Sequence, residues 1–115
     1  MKLPNGNQAK REQIANKLET YALDFEHKSG RHKARLFRSW LGIVIENKQI
    51  LEDALLEQAT SGEATFVETS DYGAKYVIEF SLTTEVGTAI ILSAWIIRFE
   101  DNYPRLTSVY PIDKI

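Results

Sequence analysis

The sequence predicts an α+β protein, with three N-terminal helices packed on one face of a four-stranded antiparallel sheet. Two observations carry that prediction. Up to Gly62 the apolar residues recur at helical spacing; beyond it the period falls to two. The elements are also segregated, helices first and strands after, which is the order of α+β folds rather than of alternating α/β ones. At 115 residues the chain is expected to form a single domain, 1–115, with room for one core.

The start, LPNGN, is turn-rich, and a first helix is expected from about Arg11 to Leu23, with Ile14, Leu18, Tyr21 and Ala22 on its apolar side. Ser29-Gly30 then breaks the chain, and Ser29 has the chemistry of an N-cap. The second helix runs from there to about Leu41 and stops at Gly42, a natural C′ residue. A third opens at Glu46 or Asn47, carries the stripe Ile50, Leu51, Ala54, Leu55 and Gln58, and ends near Ser61-Gly62. No internal repeat or low-complexity linker interrupts this order.

The strands follow from alternation and from turn residues. Residues 64–69 form the first strand, turned by Asp71-Tyr72-Gly73 into the second, 74–82. There Ala74, Tyr76, Ile78, Phe80 and Leu82 alternate with Lys75, Val77, Glu79 and Ser81, the pattern of a half-buried antiparallel strand. TAIILSAWIIRF, starting at Thr88, is apolar on both faces and reads as the central strand. The last strand, about Leu106 to Tyr110, lies between Pro104 and Pro111, which cannot donate to a ladder. A sheet with helices on one face leaves the other free for a ligand, a partner or a second subunit.

Composition narrows the function classes. Hydrophobic residues at 43% and charged residues at 26% are ordinary globular values. Cysteine is absent, so disulfides and thiolate metal sites are excluded. The first residues lack the apolar core of a signal peptide, and no apolar run approaches the ~20 residues of a membrane span. A soluble, cytoplasmic protein without a membrane partner is expected. The net charge of −2 argues against a generally basic nucleic-acid binder.

The charge is nevertheless concentrated. Between Glu26 and Glu46 there is no acid, while Lys28, Arg31, Lys33, Arg35 and Arg38 give +5, leaving −7 for the rest of the chain. On a helical wheel Arg38, Arg31, Arg35, Ser39 and His32 share one arc, and Leu36, Trp40, Phe37, Leu41 and Ala34 fill the opposite one. A solvated helix commonly mixes signs at i,i+4, and this one does not. It is therefore either a plain solvated face or a site for an anion. Lys33 falls inside the apolar arc, which suits a snorkelling lysine or one held at the lip of a pocket. His27 and His32 are five apart, the wrong spacing for a helical metal pair, so no metal and no cofactor is expected.

A second cluster, SAWIIRFEDNYPRLTSVY, sets Trp95 and Arg98 near the end of the third strand and Arg105 and Thr107 at the start of the fourth. A β-hairpin would bring Arg98 and Arg105 to one end of the sheet. The plain alternatives are a core Trp95 and arginines paired with Glu100 or Asp101.

LPN, KLETYALDFEHKSGRHKARLF, LG, DYGAKYVIEF, SAWI and YPRLTSVYP together resemble an uncharacterised bacterial domain family across nearly the whole chain. Its pattern is matched here by Tyr21, His27, Gly30, Lys33, Ala34, Phe37, Gly42, Tyr72, Gly73, Trp95, Pro104, Arg105 and Leu106. The resemblance implies relatives that occur alone and as C-terminal modules of phage head-morphogenesis proteins and contact-dependent toxins. It implies no established activity; toxin placement suggests a nuclease by association. The order of elements is similar to that of barnase/RelE-type ribonucleases, an analogy of fold alone.

Two functions are carried forward. The first is a small metal-independent ribonuclease-like domain, with His32 as acid or base, Lys33, Arg35 and Arg105 stabilising phosphate, and Tyr72 or Trp95 stacking a base. Its general base is unassigned unless Glu79 or His27 supplies it. Arg31, Arg98 and Thr107 complete the candidate binding set. The second is a non-catalytic interaction module that binds an acidic protein surface or a second copy of itself, making a homo-oligomer. Under either reading the basic helix and Arg105 are expected to bound one concave site.

Overall fold

The computed structural model describes residues 1–115 and has the expected α+β architecture: three main helices, then a four-stranded antiparallel meander. Helix α1 (Arg11–Lys17) continues through a π-helical turn, Leu18–Ala22. Helix α2 (Arg31–Leu36) likewise continues through a π-helical turn, Phe37–Leu41. Gly42 ends α2 at φ 68°, the left-handed conformation that its missing Cβ permits. Ser29 does not cap α2. The acceptor is instead His27 Nδ1, which takes the N–H groups of Ser29 (3.1 Å) and Gly30 (3.0 Å).

Helix α3 (Gln49–Ser61) starts after a short 3₁₀ turn at Ile45–Asn47. Its buried residues are Leu51, Glu52, Leu55 and Ala59. Ile50, expected on the apolar stripe, is 41% exposed, because the buried stripe runs one position further round the helix. Glu52 is tolerated inside because Arg11 Nη1 donates to it at 2.8 Å and Lys48 approaches at 3.7 Å.

Strands β1 (Ala64–Thr69), β2 (Gly73–Thr83), β3 (Thr88–Arg98) and β4 (Arg105–Lys114) pair in sequence order. β4 runs through Pro111 rather than stopping before it. An edge strand permits this, since its outward side needs no ladder donor. The register aligns Tyr76, Trp95 and Leu106 in one row, Ile78, Ser93 and Val109 in the next, and Phe80, Ile91 and Pro111 in a third. These rows face the helices and form a core with Ile14, Leu18, Phe37, Leu41, Leu51 and Leu55. The alternation read from β2 thus points the expected way. Three bulges break the register, one in β1 at Val67 and two in β4, at Thr107 and Ile112.

No helix covers the opposite sheet face. It carries Val77, Leu92, Ala94, Ile96 and Tyr110, flanked by Lys75, Glu79 and Arg105. β3 is therefore an interior strand with apolar residues on both sides, one packed by helices and the other by its sheet neighbours alone. No helix is long and apolar enough to cross a membrane.

Candidate functional site

Helix α2 divides as the wheel predicts. Arg31, His32, Arg35, Arg38 and Ser39 are exposed, while Ala34, Phe37 and Leu41 are buried against the sheet. Packing of that apolar side fixes where the basic side points. Lys28, Arg31, Arg35 and Arg38 form no ion pair with any acid of the chain. Arg38 lies over the Phe25 ring at 5.1 Å, which holds the guanidinium in place without neutralising it. The side-chain ion pairs that do form involve other cations: Glu52 and Asp53 take Arg11, Glu19 and Glu52 take Lys48, Glu68 takes Lys75, and Asp101 takes Arg105. The Arg11 guanidinium is accordingly held above its ordinary pKa, first by its hydrogen bond to Asp53 and then by that to Glu52.

Lys33 leaves the helix toward the β4 edge, where Nζ sits 3.9 Å from the centroid of the Tyr110 ring. The side chain is half-buried and its ammonium meets an aromatic face, a cation–π contact that suits a snorkelling lysine. Arg105 lies five residues back along the same strand, about 16 Å away at the rise of a β-strand. Its Nε donates to Asp101 Oδ2 at 2.7 Å, and its guanidinium stacks on Tyr103 at 4.9 Å. That hydrogen bond is the main reason its pKa is raised. None of the four surface cavities is lined by His32, Lys33 or Arg105. The single concave site expected around them is not formed. No cavity is lined by Arg31, Arg35 or Arg38 either, and Arg105 is engaged with Asp101.

Three of the other candidates do converge. Tyr72, Arg98 and Thr107 line one cleft of about 520 Å³ at the end of the sheet, together with Asp71, Ile96 and Glu100. The turn after β1 delivers Tyr72, which is 74% exposed; the end of β3 delivers Arg98, and the β4 bulge turns Thr107 toward both. Arg98 makes no ion pair, so its expected pairing with Glu100 or Asp101 does not occur. The cleft carries one cation and two carboxylates, a mixed rather than an anion-selecting lining. Trp95 does not join it. Its ring is 0% exposed, and Nε1 donates to Ser93 Oγ at 2.9 Å inside the core. Stacking a base requires an exposed face, so Trp95 is a packing residue and its expected binding role is withdrawn.

The two groups considered as general base are engaged or placed otherwise. His27 accepts the backbone at the start of α2, and its ring meets Tyr21 edge-on at 4.7 Å. Glu79 is exposed on the sheet face opposite the helices. Sequence reasoning missed the part His27 plays in holding the turn that leads into α2. No group of three or more His, Asp or Glu side chains is arranged to hold a metal ion.

Neither a curated protein nor a solved structure matches the chain. A family model does, over residues 2–113, and it covers both the basic helix and the whole sheet. The chain belongs to the family described as Domain of unknown function (DUF6883).

Proposed function

We propose that this chain is a non-catalytic interaction module that binds an acidic protein surface through the basic face of α2. One observation carries the reading: Lys28, Arg31, Arg35 and Arg38 are left without a carboxylate partner in a chain that has 16 acids against 14 Lys and Arg. Like charges gathered on one rigid helix repel one another, and that repulsion is relieved by an external anion. The face lines no cavity and is backed by the core through Ala34, Phe37 and Leu41, which suits recognition by a surface rather than enclosure of a small molecule. Phage head-morphogenesis proteins and contact-dependent toxins, the contexts implied by the resemblance, would hold such a module beside other protein surfaces.

The ribonuclease-like reading needs an acid, a base and phosphate-binding cations around one reacting group. His32, Lys33 and Arg105 do not surround a common point, so the interaction module is preferred. The test sets purified protein against RNA and against polyglutamate. The proposal expects no RNA cleavage above that of a Lys33→Ala/Arg105→Ala control, together with polyglutamate binding that weakens with salt. RNA cleavage abolished by that double substitution would overturn it.

A further inference from the structure

The sheet has little room to grow sideways. Gln13 of α1 closes the β4 edge with its side-chain amide: Nε2 donates to Leu106 O at 2.9 Å, and Oε1 accepts from Leu106 N at 2.8 Å. At the other edge the backbone of Met1 pairs with Ala64, and the bulge at Val67 interrupts the strand beyond it. The surface left open is the face turned away from the helices. Its central row is Val77, Ala94 and Ser108, and β3 adds Ile90, Leu92 and Ile96 on either side, with no charge among them.

Charges of opposite sign stand on opposite sides of that central row. On β2, Lys75 lies two residues before Val77 and Glu79 two residues after it. Further out, Arg98 ends β3 beyond the Lys75 side, while Asp113 of β4 pairs with Ile90 beyond the Glu79 side. Glu79, Arg98 and Asp113 have no ion-pair partner. Lys75 reaches only Glu68, at 3.6 Å between two solvent-exposed side chains. Across β2, β3 and β4 the face thus reads cation, apolar centre, acid, the pattern of a surface that complements itself when turned end for end.

We infer that the chain forms a two-fold dimer by stacking this sheet face on the same face of a second copy. The axis lies between the two sheets, runs across the strands, and passes over Val77 and Ala94. That rotation reverses strand direction and sets β2 on β2 and β3 on β3. Ala94 meets Ala94 of the second copy, a small residue where two sheets approach to about 10 Å. Ile96 meets Leu92 of the second copy, and Lys75 meets its Glu79. Arg98 comes toward the Asp113 end of the second copy. Because the axis is two-fold, each of these contacts occurs twice, and the assembly closes at two chains.

An axis along the strands fits less well, since it sets β2 on β3 and leaves Lys75 and Glu79 against Ile96 and Leu92, charges on apolar side chains. The stacking across the strands has one adverse corner, where Glu68 approaches Glu63 of the second copy. Each of those acids keeps a cation of its own, Lys75 and the Met1 amino group. At about 3.3 by 4.8 Å per residue the four strands cover roughly 600 Å² per copy, the lower end of the about 600–1,000 Å² per partner of standard interfaces. The helices stay on the outside, so the dimer displays two basic α2 faces, and the inference stands independently of the proposed function.

The test is sedimentation velocity on the wild type, Lys75→Glu and Glu79→Lys over a range of concentrations. The wild type should pass from monomer to dimer as concentration rises. Each reversal should weaken the dimer about tenfold or more, because it sets like charges together at two places, while circular dichroism stays native. Mixing the two variants should restore the dimer with one chain of each, since both charge pairs are then again of opposite sign. Ala94→Arg, at the centre of the stack, should keep the chain monomeric. A wild type that remains monomeric throughout, a dimer indifferent to either reversal, or a mixture no tighter than the separate variants would each overturn the inference.

Discussion

Ser93 sits at 0% exposure between two groups that depend on it: Trp95 Nε1 donates to its Oγ at 2.9 Å, and that hydroxyl donates to Ile78 O at 3.0 Å. Ser93→Ala leaves the indole N–H without an acceptor, and chemical denaturation should register a loss of about 1–3 kcal/mol. Phe80, central in the helix-facing row and 8% exposed, should cost about 3–5 kcal/mol as Phe80→Ala. A loss below about 1 kcal/mol would contradict the assignment of the sheet's inner face. Alternation in the sequence identified Phe80 and Ile78 as core before any pairing was known. Trp95 was harder to read because an aromatic beside Arg98 serves equally as core or as platform. Its row with Tyr76 and Leu106 decides the matter, and that row is a long-range property. Lys33 was legible as a lysine among apolar neighbours, but its partner Tyr110 lies 77 positions later and leaves no local trace.

Elements are held at their ends by single residues. Gly42 closes α2 at φ 68°, and a Cβ there would meet Val86 Cγ2 at 2.7 Å. Gly42→Ala should therefore destabilise by about 1–2 kcal/mol, from the left-handed backbone and the clash together. Gln13 closes the β4 edge, and Gln13→Ala should cost about 1–3 kcal/mol while accelerating hydrogen exchange at the Leu106 amide. An unchanged exchange rate there would mean that α1 itself, rather than the amide of Gln13, shields the strand. Gly42 could be recognised in the sequence because a glycine after an apolar-periodic run has one common meaning. Gln13 could not, since a polar residue on an amphipathic helix says nothing about a strand 93 residues away. The same limit hid the three bulges and the continuation of β4 through Pro111. Bulges arise from register between strands, and Pro111 is tolerated only because the strand lies at the sheet edge.

At the scale of the whole molecule, charge is sorted by surface. The chain carries −2 overall, yet the exposed side of α2 has no acid among its residues and borrows none from the rest of the fold. The gap between Glu26 and Glu46 showed the first fact in the sequence; the ion pairs of the folded chain establish the second. The most direct measurement is the affinity of labelled polyglutamate for the wild type, Arg35→Glu and Lys114→Glu at matched ionic strength. Arg35 is exposed and unpaired, so its reversal should leave stability within about 0.5 kcal/mol of wild type. It should weaken binding about tenfold at low salt, the effect shrinking as salt is added, while Lys114→Glu on β4 changes affinity much less. Equal affinity of all three proteins, with stability unchanged, would contradict the account and leave the basic side of α2 as a solvated surface.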